Sequence, residues 1–527
     1  MNGTALSDLS ALELRRLIGQ REISPVELLD ACLARIEAIN PAVNAVVALD
    51  TGRARVEAKA AEEAARRGEA LGPLAGLVIG VKDLEETAGL RTTYGSRQFE
   101  HFVPAEDCGL VARLRAAGAI VLAKTNTPEF GAGANTVNPV YGPTGNPFDP
   151  ALSCAGSSGG SAVALATGML PLATGSDTGG SLRNPAAFCG IVGFRPTPGL
   201  VPSEKRGSGW SPLPVLGPMA RSVPDLALFL SAMAAEDGRD PLSAPLAPPG
   251  FFPLAECDLA SLRVAVTEDF GFAPVSAEVR GLFRDRIQSI RHLFGSVVEA
   301  CPDMSGADEA FAVLRAEGML ARHLPTYRSR PHLLGPNLIA NIEEGLGYTL
   351  ADHARAHAAQ TAIARRFHAF FDEVDLILSP AMALQPMPWT VLAPMEIDGV
   401  GLRSYYHWLA LAYGVTLAAH PALVLPCGVD SRGLPFGLQV VGPRRGDAAL
   451  LSAAAALERA LATIARLRET SAGPVCPRPH AAHRRAPRGR HAGLCRTRVR
   501  GRLSRLAADA YTPGTLASSG EGRRSCA

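Results

Sequence analysis

The segments GSSGGS (156–161) and DTGGS (177–181) enclose the apolar stretch AVALATGMLPLA (162–173). Glycine lets backbone N–H groups turn toward a ligand, and each turn also carries a serine hydroxyl. A helix-length spacer would hold the two turns at a fixed separation. A flexible Gly/Ser linker is the alternative, but a linker is flanked by polar sequence, whereas these turns run directly into apolar residues. The pattern therefore predicts a serine nucleophile with an oxyanion hole.

A nucleophilic serine needs a base, and lysine usage indicates a candidate. The chain has four lysines and 48 arginines, so a lysine at any one position is a rare choice. Lys82 ends the strand-like run GLVIGVKDL (76–84). Burial there would desolvate its amine, lower its pKa and supply the neutral form that a general base requires. A solvated loop lysine is the ordinary alternative, but the apolar run before Lys82 favours the buried base.

The histidines fit the role of base poorly. Several lie in helical stretches rich in Arg or Ala, and others lie in a C-terminal segment of different composition: His353, His357 and His368, then His480, His483 and His491. Lysine is therefore the preferred base.

Five motifs, three of which overlap the stretches quoted above, carry a resemblance to a known family. They are GPLAGLVIGVKD (72–83), KTNTPEFG (124–131), GPTGNPFDP (142–150), CAGSSGGSAVALATG (154–168) and GSDTGGSLRNPAAFCGIVGFRPTPG (175–199). In this order they resemble the successive motifs of the amidase signature family. The resemblance continues to LPCG and GLPFGLQVVG (425–442) and covers roughly residues 1–467. Several long motifs in the right order make it highly specific.

The resemblance implies an α/β fold in a single large domain, residues 1–470, with a mixed twisted β-sheet of about a dozen strands covered by helices on both faces. It also implies a Ser-cis-Ser-Lys triad. Matched by motif, the triad is Lys82, Ser157 and Ser181. The oxyanion hole would be the backbone N–H groups of the second turn, Thr178, Gly179, Gly180 and Ser181.

GSSGG (156–160) also satisfies the G-x-S-x-G elbow of α/β-hydrolases, with Ser158 as nucleophile. A run of glycines and serines easily matches this short pattern by chance. Such an enzyme would need an acid and then a histidine downstream, and the one histidine well placed late in the body is His420, at what looks like the entry to a strand. A serine esterase of this kind is one alternative. No glycine-rich turn continues as a phosphate loop or a dinucleotide fingerprint.

Composition fits an intracellular enzyme. Hydrophobic residues make up 47% of the chain, which is enough to fill a large core. No apolar run reaches the roughly 18 residues that cross a bilayer, and the N-terminus shows no secretory signal, so the expected location is cytoplasmic. The ten cysteines are scattered without a C-x-x-C pair. We expect no metal and no cofactor.

Strand-like and helical segments alternate along the chain, which favours a layered α/β architecture. Ser24, Pro25 and Glu27 predict a capped helix to about Ile39. Other predicted helices are 107–117, 277–294, 350–373, 403–418 and 447–467. Predicted strands are 77–81, 119–123, 171–175, 262–267, 375–379, 422–426 and 437–442.

The last segment, 471–527, differs from everything before it. It holds twelve Arg and two acidic residues, a formal charge of +10, whereas the rest of the chain carries −8. One interpretation is a basic tail for nucleic acid or an anionic membrane. The preferred one is the out-of-frame product of a GC-rich gene. Either way we expect disorder, since large apolar residues are too few for a core.

The amide that is cleaved is a separate question. Catalytic subunits of tRNA-dependent glutamine amidotransferases use the same triad and carry an acidic residue that contacts the substrate amino group. A count back without gaps from Ala419 puts Leu409 at the position that the acidic residue occupies in those subunits. Nearby Tyr405, Tyr406 and Trp408 are typical of an apolar pocket wall or equally of a buried helix face. The favoured function is hydrolysis of apolar or aryl/alkyl amides, and the alternative is the catalytic subunit of a tRNA-dependent amidotransferase.

The expected partner of the body is thus a small amide, with no nucleic acid and no membrane, and a homodimer stays open as the assembly. A non-catalytic scaffold on the same fold is disfavoured, because all three triad positions are filled.

Overall fold

The computed structural model of the chain describes residues 5–245 and 250–471. Apart from Ser471, the segment 471–527 that was interpreted as a basic tail lies outside the described residues, and so do His480, His483 and His491. Within the described ranges, no helix combines the length and the apolar character that a membrane span requires.

The centre of the fold is an eleven-stranded mixed sheet, as expected from the sequence. Its strands are β1 (Val46–Leu49), β2 (Val78–Lys82), β3 (Ile120–Thr125), β6 (Leu172–Asp177), β7 (Val192–Arg195), β8 (Val215–Ala220), β9 (Arg263–Val266), β10 (Ser296–Glu299), β11 (Leu376–Pro380), β14 (Ala422–Val429) and β15 (Pro435–Val441). They lie in the order β1-β3-β2-β6-β8-β7-β14-β15-β11-β9-β10. Two small ribbons pair β4 (Val137–Asn138) with β5 (Gly142–Pro143) and β12 (Glu396–Ile397) with β13 (Val400–Gly401).

Helices cover this sheet. In the described residues they are α1 (Ala11–Gly19), α2 (Pro25–Val43), α3 (Thr51–Arg67), α4 (Gly109–Ala116), α5 (Gly159–Ala166), α6 (Arg183–Cys189), α7 (Val223–Met233), α8 (Ala277–Ile290), α9 (Ala307–Ser329), α10 (Pro336–Leu346), α11 (Leu350–Phe370), α12 (Ala410–Leu417) and α13 (Asp447–Ser471). The α3 helix packs on β3, α5 on β6, α6 on β15 and α7 on β8.

Several local expectations are confirmed and some boundaries move. The capping box of Ser24 and Glu27 opens α2 as expected. The predicted helix 403–418 is shorter, because a single 3-10 turn at 407–409 precedes α12. Helices α9 and α10 had no counterpart among the sequence-based elements, since Gly318 and Pro325 interrupt the helical pattern of α9. Tertiary packing overrides that local signal.

The sheet brings the two glycine-serine turns to one edge. Strands β2 and β6 are parallel neighbours, so their carboxyl ends lie on the same side. Lys82 is the last residue of β2, and the turn 178–181 follows β6 directly. The α5 helix, which begins within the first turn at Gly159, packs on both strands. A side chain at Gly160 would put a Cβ atom 2.2 Å from the backbone nitrogen of Asn126, so only glycine allows this close approach.

A second, smaller apolar cluster lies apart from the main core. Its buried members are Ala132, Leu334, Leu338 and Ile342, and residues of α9 and α10 pack against them. The buried Glu129 carboxylate ties this region to the rest of the chain, accepting hydrogen bonds from Ser96 Oγ and from the backbone nitrogen of Gly335, both at 2.6 Å. We call residues 307–346, together with this cluster, the α9–α10 region.

Candidate active site

Lys82 lies fully buried among serine hydroxyls. Its Nζ atom donates hydrogen bonds to Ser157 Oγ at 2.8 Å, to Ser158 Oγ at 2.9 Å and to Ser176 Oγ at 2.9 Å. Burial lowers the pKa of this amine to about 8, while the negative charge of Glu85 acts in the opposite direction. An amine with this pKa is neutral in a substantial fraction of molecules at mildly alkaline pH, which is the protonation state that a base needs.

The first glycine-serine turn places its two serines differently. Ser157 follows a cis peptide bond from Gly156 and lines a pocket, although its side chain is nearly buried. Ser158 is fully buried and points to the protein interior, where its Oγ accepts from Lys82 and donates to the carbonyl of Ser176 at 3.3 Å. Ser158 therefore supports the arrangement of Lys82 and does not reach the pocket.

The second turn lines the same pocket. Thr178, Gly179 and Ser181 line it together with Ser157 and Ser176. In the described part of the chain, the backbone N–H groups of Thr178, Gly179 and Ser181 have no hydrogen-bond acceptor. Unpaired N–H groups beside a serine hydroxyl are suited to binding a developing oxyanion.

Gly180 departs from the sequence-based expectation. Its N–H donates to Asp177 Oδ1 at 2.9 Å, so in this conformation it is not available to an oxyanion. The Asp177 carboxylate therefore occupies the N–H group of Gly180, and it also accepts a hydrogen bond from the backbone nitrogen of Leu182. Three of the four expected donors thus remain candidates.

Asp177 is held by a buried ion-pair network that the sequence-based reasoning missed. Arg183 donates to both carboxylate oxygens at 3.0 Å, and Arg195 Nη1 lies 3.3 Å from Oδ1. Their charges keep the pKa of the Asp177 carboxyl far below its usual range against the cost of burial. Arg183 also reaches Gln439 of β15 and Thr416 of α12. The sequence signal that could have revealed this network is the presence of charged residues, Asp177, Arg183 and Arg195, inside otherwise apolar motifs.

A second buried lysine lies next to the first. Lys124 donates to the carbonyl of Glu85 and, at 3.1 Å, to Thr87 Oγ1. Burial lowers the pKa of Lys124, and burial raises that of Glu85 to about 7. Rarity of lysine, which singled out Lys82, would equally have singled out Lys124.

The elbow alternative does not fit this geometry. His420 is buried, its Nδ1 lies 2.9 Å from the carbonyl oxygen of Gly442, and its ring stacks on Phe371 with centroids 5.0 Å apart. Burial lowers its pKa to about 4. None of these contacts involves either serine turn. Ser158, the nucleophile that this alternative requires, is fully buried.

The pocket walls are mostly apolar. Besides the two turns, they comprise Leu84, Phe130, Gly131, Gly133, Phe311, Arg315, Met319 and Leu409. Leu409, the position where a carboxylate was sought, does face the pocket. Tyr405, Tyr406 and Trp408 are not part of this lining, and Trp408 is 1% exposed, so the buried-face interpretation applies to it. No Asp or Glu belongs to the pocket lining formed by the described residues.

One group in the described residues has the geometry to hold a metal ion, and it lies outside this pocket. It consists of Glu317 on α9 with His353 and His357 on α11. Glu317 Oε2 lies 2.9 Å from His353 Nε2 and 3.7 Å from His357 Nε2. All three side chains are partly exposed, and none contributes to the pocket.

Comparisons with known proteins show which family the chain belongs to. The family model described as "Amidase" matches residues 27–451. An acylamidase of Rhodococcus erythropolis is 34% identical over 85% of this chain and 95% of its own length. A glutamyl-tRNA(Gln) amidotransferase subunit from Thermus thermophilus is 38% identical over 86% of this chain and 97% of its own. A bacterial aryl acylamidase structure of the amidase signature family superimposes with a TM-score of 0.80 and 27% identity, covering 89% and 99%. The chain therefore belongs to the amidase signature family.

Proposed function

We propose that this amidase hydrolyses apolar aryl and alkyl amides to the acid and an amine or ammonia through an acyl-serine intermediate on Ser181. The observation that carries the proposal is the hydrogen bond from Lys82 Nζ to Ser157 Oγ, in a pocket that Ser181 shares. A buried amine of lowered pKa, a relay serine and an accessible serine are what the chemistry needs.

The resting amide resists water because its carbonyl is stabilised by resonance and its amine leaves poorly. In the proposed cycle, neutral Lys82 takes a proton from Ser157, which takes one from Ser181. The Ser181 oxygen attacks the carbonyl carbon, and the proton returns through Ser157 to the leaving nitrogen. Water then adds to the acyl-serine with the same proton relay, which releases the acid and restores Ser181.

The backbone N–H groups of Thr178, Gly179 and Ser181 would hold the oxyanion in both steps. Their freedom from other acceptors among the described residues supports this role. Each well-placed donor lowers the barrier by about 3 kcal/mol. The Asp177 carboxylate supports the same turn through Gly180 and Leu182.

The role of an amidotransferase subunit remains a second candidate, because the Thermus thermophilus relative is 38% identical over most of its length. Against it stands the pocket wall, where Leu409 offers no carboxylate for the α-ammonium of glutamine. The similarity to an acylamidase and to an aryl acylamidase supports hydrolysis of acyl amides, including aryl ones, by this chain. The cytoplasmic location and a homodimer stay predictions from the sequence.

The test is hydrolysis of a substrate panel by the wild type and Ser181→Ala. The panel contains a fatty amide, an aryl amide, acetanilide and glutamine, with product acid quantified. We expect turnover of the aryl and alkyl members, complete loss in Ser181→Ala and little activity on glutamine. Cleavage of glutamine alone would instead identify the amidotransferase function.

A further inference from the structure

Arg315 brings a positive charge to the wall of the candidate active site. It lies on α9, is 8% exposed and lines the same pocket as Ser157 and Ser181. The walls beside it are apolar, formed by Phe311 and Met319 of the same helix and by Leu409. A guanidinium in such surroundings has lost most of its water and gains free energy from any anion that it can bind.

The protein partners of Arg315 are all neutral. Its Nε donates to Asn341 Oδ1 at 3.1 Å and one Nη atom donates to Tyr405 Oη at 2.6 Å. Its Cζ atom also lies 5.6 Å and 5.2 Å from the ring centroids of Tyr405 and Tyr406. These contacts fix the orientation of the guanidinium without neutralising it. The other Nη atom has no hydrogen-bond acceptor within residues 5–245 and 250–471.

No carboxylate of the described residues lies within salt-bridge distance of Arg315, which sets it apart from the other buried arginines. The other buried arginines among the described residues are Arg183 and Arg195, and both pair with Asp177. The Glu344 carboxylate accepts from Tyr406 Oη at 3.0 and 3.1 Å and makes no ion pair with Arg315. A buried charge without a counter-ion is costly to a fold, so a ligand that supplies the counter-ion binds strongly.

We propose that Arg315 binds a carboxylate carried by the substrate, so that among aryl and alkyl amides those that also bear a carboxylate, and no ammonium group, are the preferred substrates. The apolar walls would contact the hydrocarbon that joins this carboxylate to the scissile amide. A planar carboxylate matches the free edge of a guanidinium whose orientation is already fixed. The absence of an acidic residue in the described lining disfavours free amino acids such as glutamine. This inference rests on the proposed function, because it places the carboxylate in the pocket of Ser181.

The experiment compares matched pairs of substrates that differ by one carboxylate. Glutaramate and pentanamide test a carboxylate on the acyl side, and 4-acetamidobenzoate and acetanilide test one on the amine side. The readout is the ratio of kcat/KM for the charged over the neutral member of each pair. We expect this ratio to exceed 1 in at least one pair and to fall about 100-fold in Arg315→Met, chiefly through KM, since a charged hydrogen bond is lost.

Two variants complete the design. Arg315→Lys keeps the charge and should recover part of the ratio, whereas Arg322→Met removes an exposed arginine of the same helix and should leave the ratio unchanged. A ratio that is the same in Arg315→Met and the wild type overturns the inference, and so does a wild-type preference for the neutral member of both pairs.

A binding measurement separates this inference from the proposed function. Glutarate is titrated calorimetrically into Ser181→Ala and into Ser181→Ala/Arg315→Met, neither of which needs to turn over. Binding that requires Arg315, in a protein whose wild type hydrolyses no amide, would support the carboxylate site and refute the proposed function. Amide hydrolysis with glutarate binding that is independent of Arg315 would do the reverse.

Discussion

The backbone N–H of Ser158 donates to the carbonyl oxygen of Ser181 over 3.2 Å, which joins the two glycine-serine turns directly. Ser158 Oγ also contacts Lys82 and Ser176. The two turns and the lysine therefore form one hydrogen-bonded unit, even though Lys82 precedes Ser157 by 75 residues in the sequence. A displacement of either turn would change the distance between the relay serine and the candidate nucleophile.

Ser181→Ala should abolish formation of the acyl-enzyme, because Ser181 lines the pocket and itself belongs to the turn that carries the unpaired N–H groups. Ser157→Ala and Lys82→Ala should lower kcat by at least about 100-fold without unfolding the protein, since each removes a proton-transfer group. Intact-mass spectrometry after mixing with a slow aryl amide detects the intermediate. Ser296→Ala, on the exposed edge strand β10, is the control. Loss of acylation in Ser158→Ala, with Ser157→Ala nearly silent, would favour the elbow arrangement instead.

Activity should rise with pH through the pKa of Lys82. The base works only when neutral, and burial brings its pKa to about 8, so kcat/KM is low below that value and reaches a plateau above it. Steady-state rates between about pH 6 and 10 define this limb. Lys82→His should move or remove it, while His420→Asn should leave it in place because His420 contacts neither turn. A limb that follows His420 would refute the lysine assignment.

Glu85→Gln should shift the same limb toward lower pH. The negative charge of Glu85 favours protonated Lys82 and so opposes the effect of burial on the lysine pKa. Removing that charge lowers the pKa further and makes the neutral amine available in more acidic solution. Glu86→Gln is a matched control, because Glu86 is the next residue and forms its ion pair with Lys205 at the surface. A limb that moves equally in both variants would show that Glu85 has no specific influence on Lys82.

Arg183→Met should destabilise the fold by about 3–5 kcal/mol, because it leaves the Asp177 carboxylate buried with one partner fewer. Both side chains are fully buried, and Arg183 also joins β15 and α12 to the second turn. Urea denaturation followed by circular dichroism measures the loss. Arg284→Met, which breaks an exposed ion pair with Glu268, should change the midpoint little. Similar midpoints for the two variants would contradict a supporting role of the buried network.

Gly160→Ala should be poorly tolerated, because the new Cβ atom would lie 2.2 Å from the backbone nitrogen of Asn126 and 2.6 Å from the carbonyl oxygen of Ala45. Backbone atoms cannot move aside as the end of a flexible side chain can. We therefore expect the free energy of unfolding to fall by at least about 1–3 kcal/mol and the first turn to be displaced. Gly281→Ala in α8 is the control, since no neighbouring segment lies within 4 Å of the Cβ atom that this substitution adds. Thermal melts and kcat of both variants provide the comparison, and equal melting temperatures would contradict the close approach.

Local patterns in the sequence predicted seven of the eleven sheet strands, Lys82 as a candidate base and the two glycine-serine turns, because rare lysines, glycine turns and apolar runs are readable one segment at a time. The full sheet and the roles of Ser157 and Ser181 came from the family resemblance. Lys124 shows the limit of that reasoning. It is as rare and as buried as Lys82, but only the structure shows that the Glu85 carboxylate interacts electrostatically with both amines. Arg315 illustrates a second limit. The inference about Arg315 depends on the absence of a carboxylate near it among the described residues. The tertiary packing determines which side chains lie near Arg315, and the sequence alone does not reveal this.

The small apolar cluster of the α9–α10 region has an evolutionary consequence. The candidate catalytic groups all lie between residues 82 and 181, whereas Arg315 and Met319 reach the pocket from a helix that packs partly on a core of its own. Substitutions on α9 can therefore retune which amide is admitted while the hydrogen-bonded unit of Lys82, Ser157 and Ser158 stays intact. Selectivity and chemistry can diverge at different rates within one chain, which is how a common scaffold comes to serve many substrates.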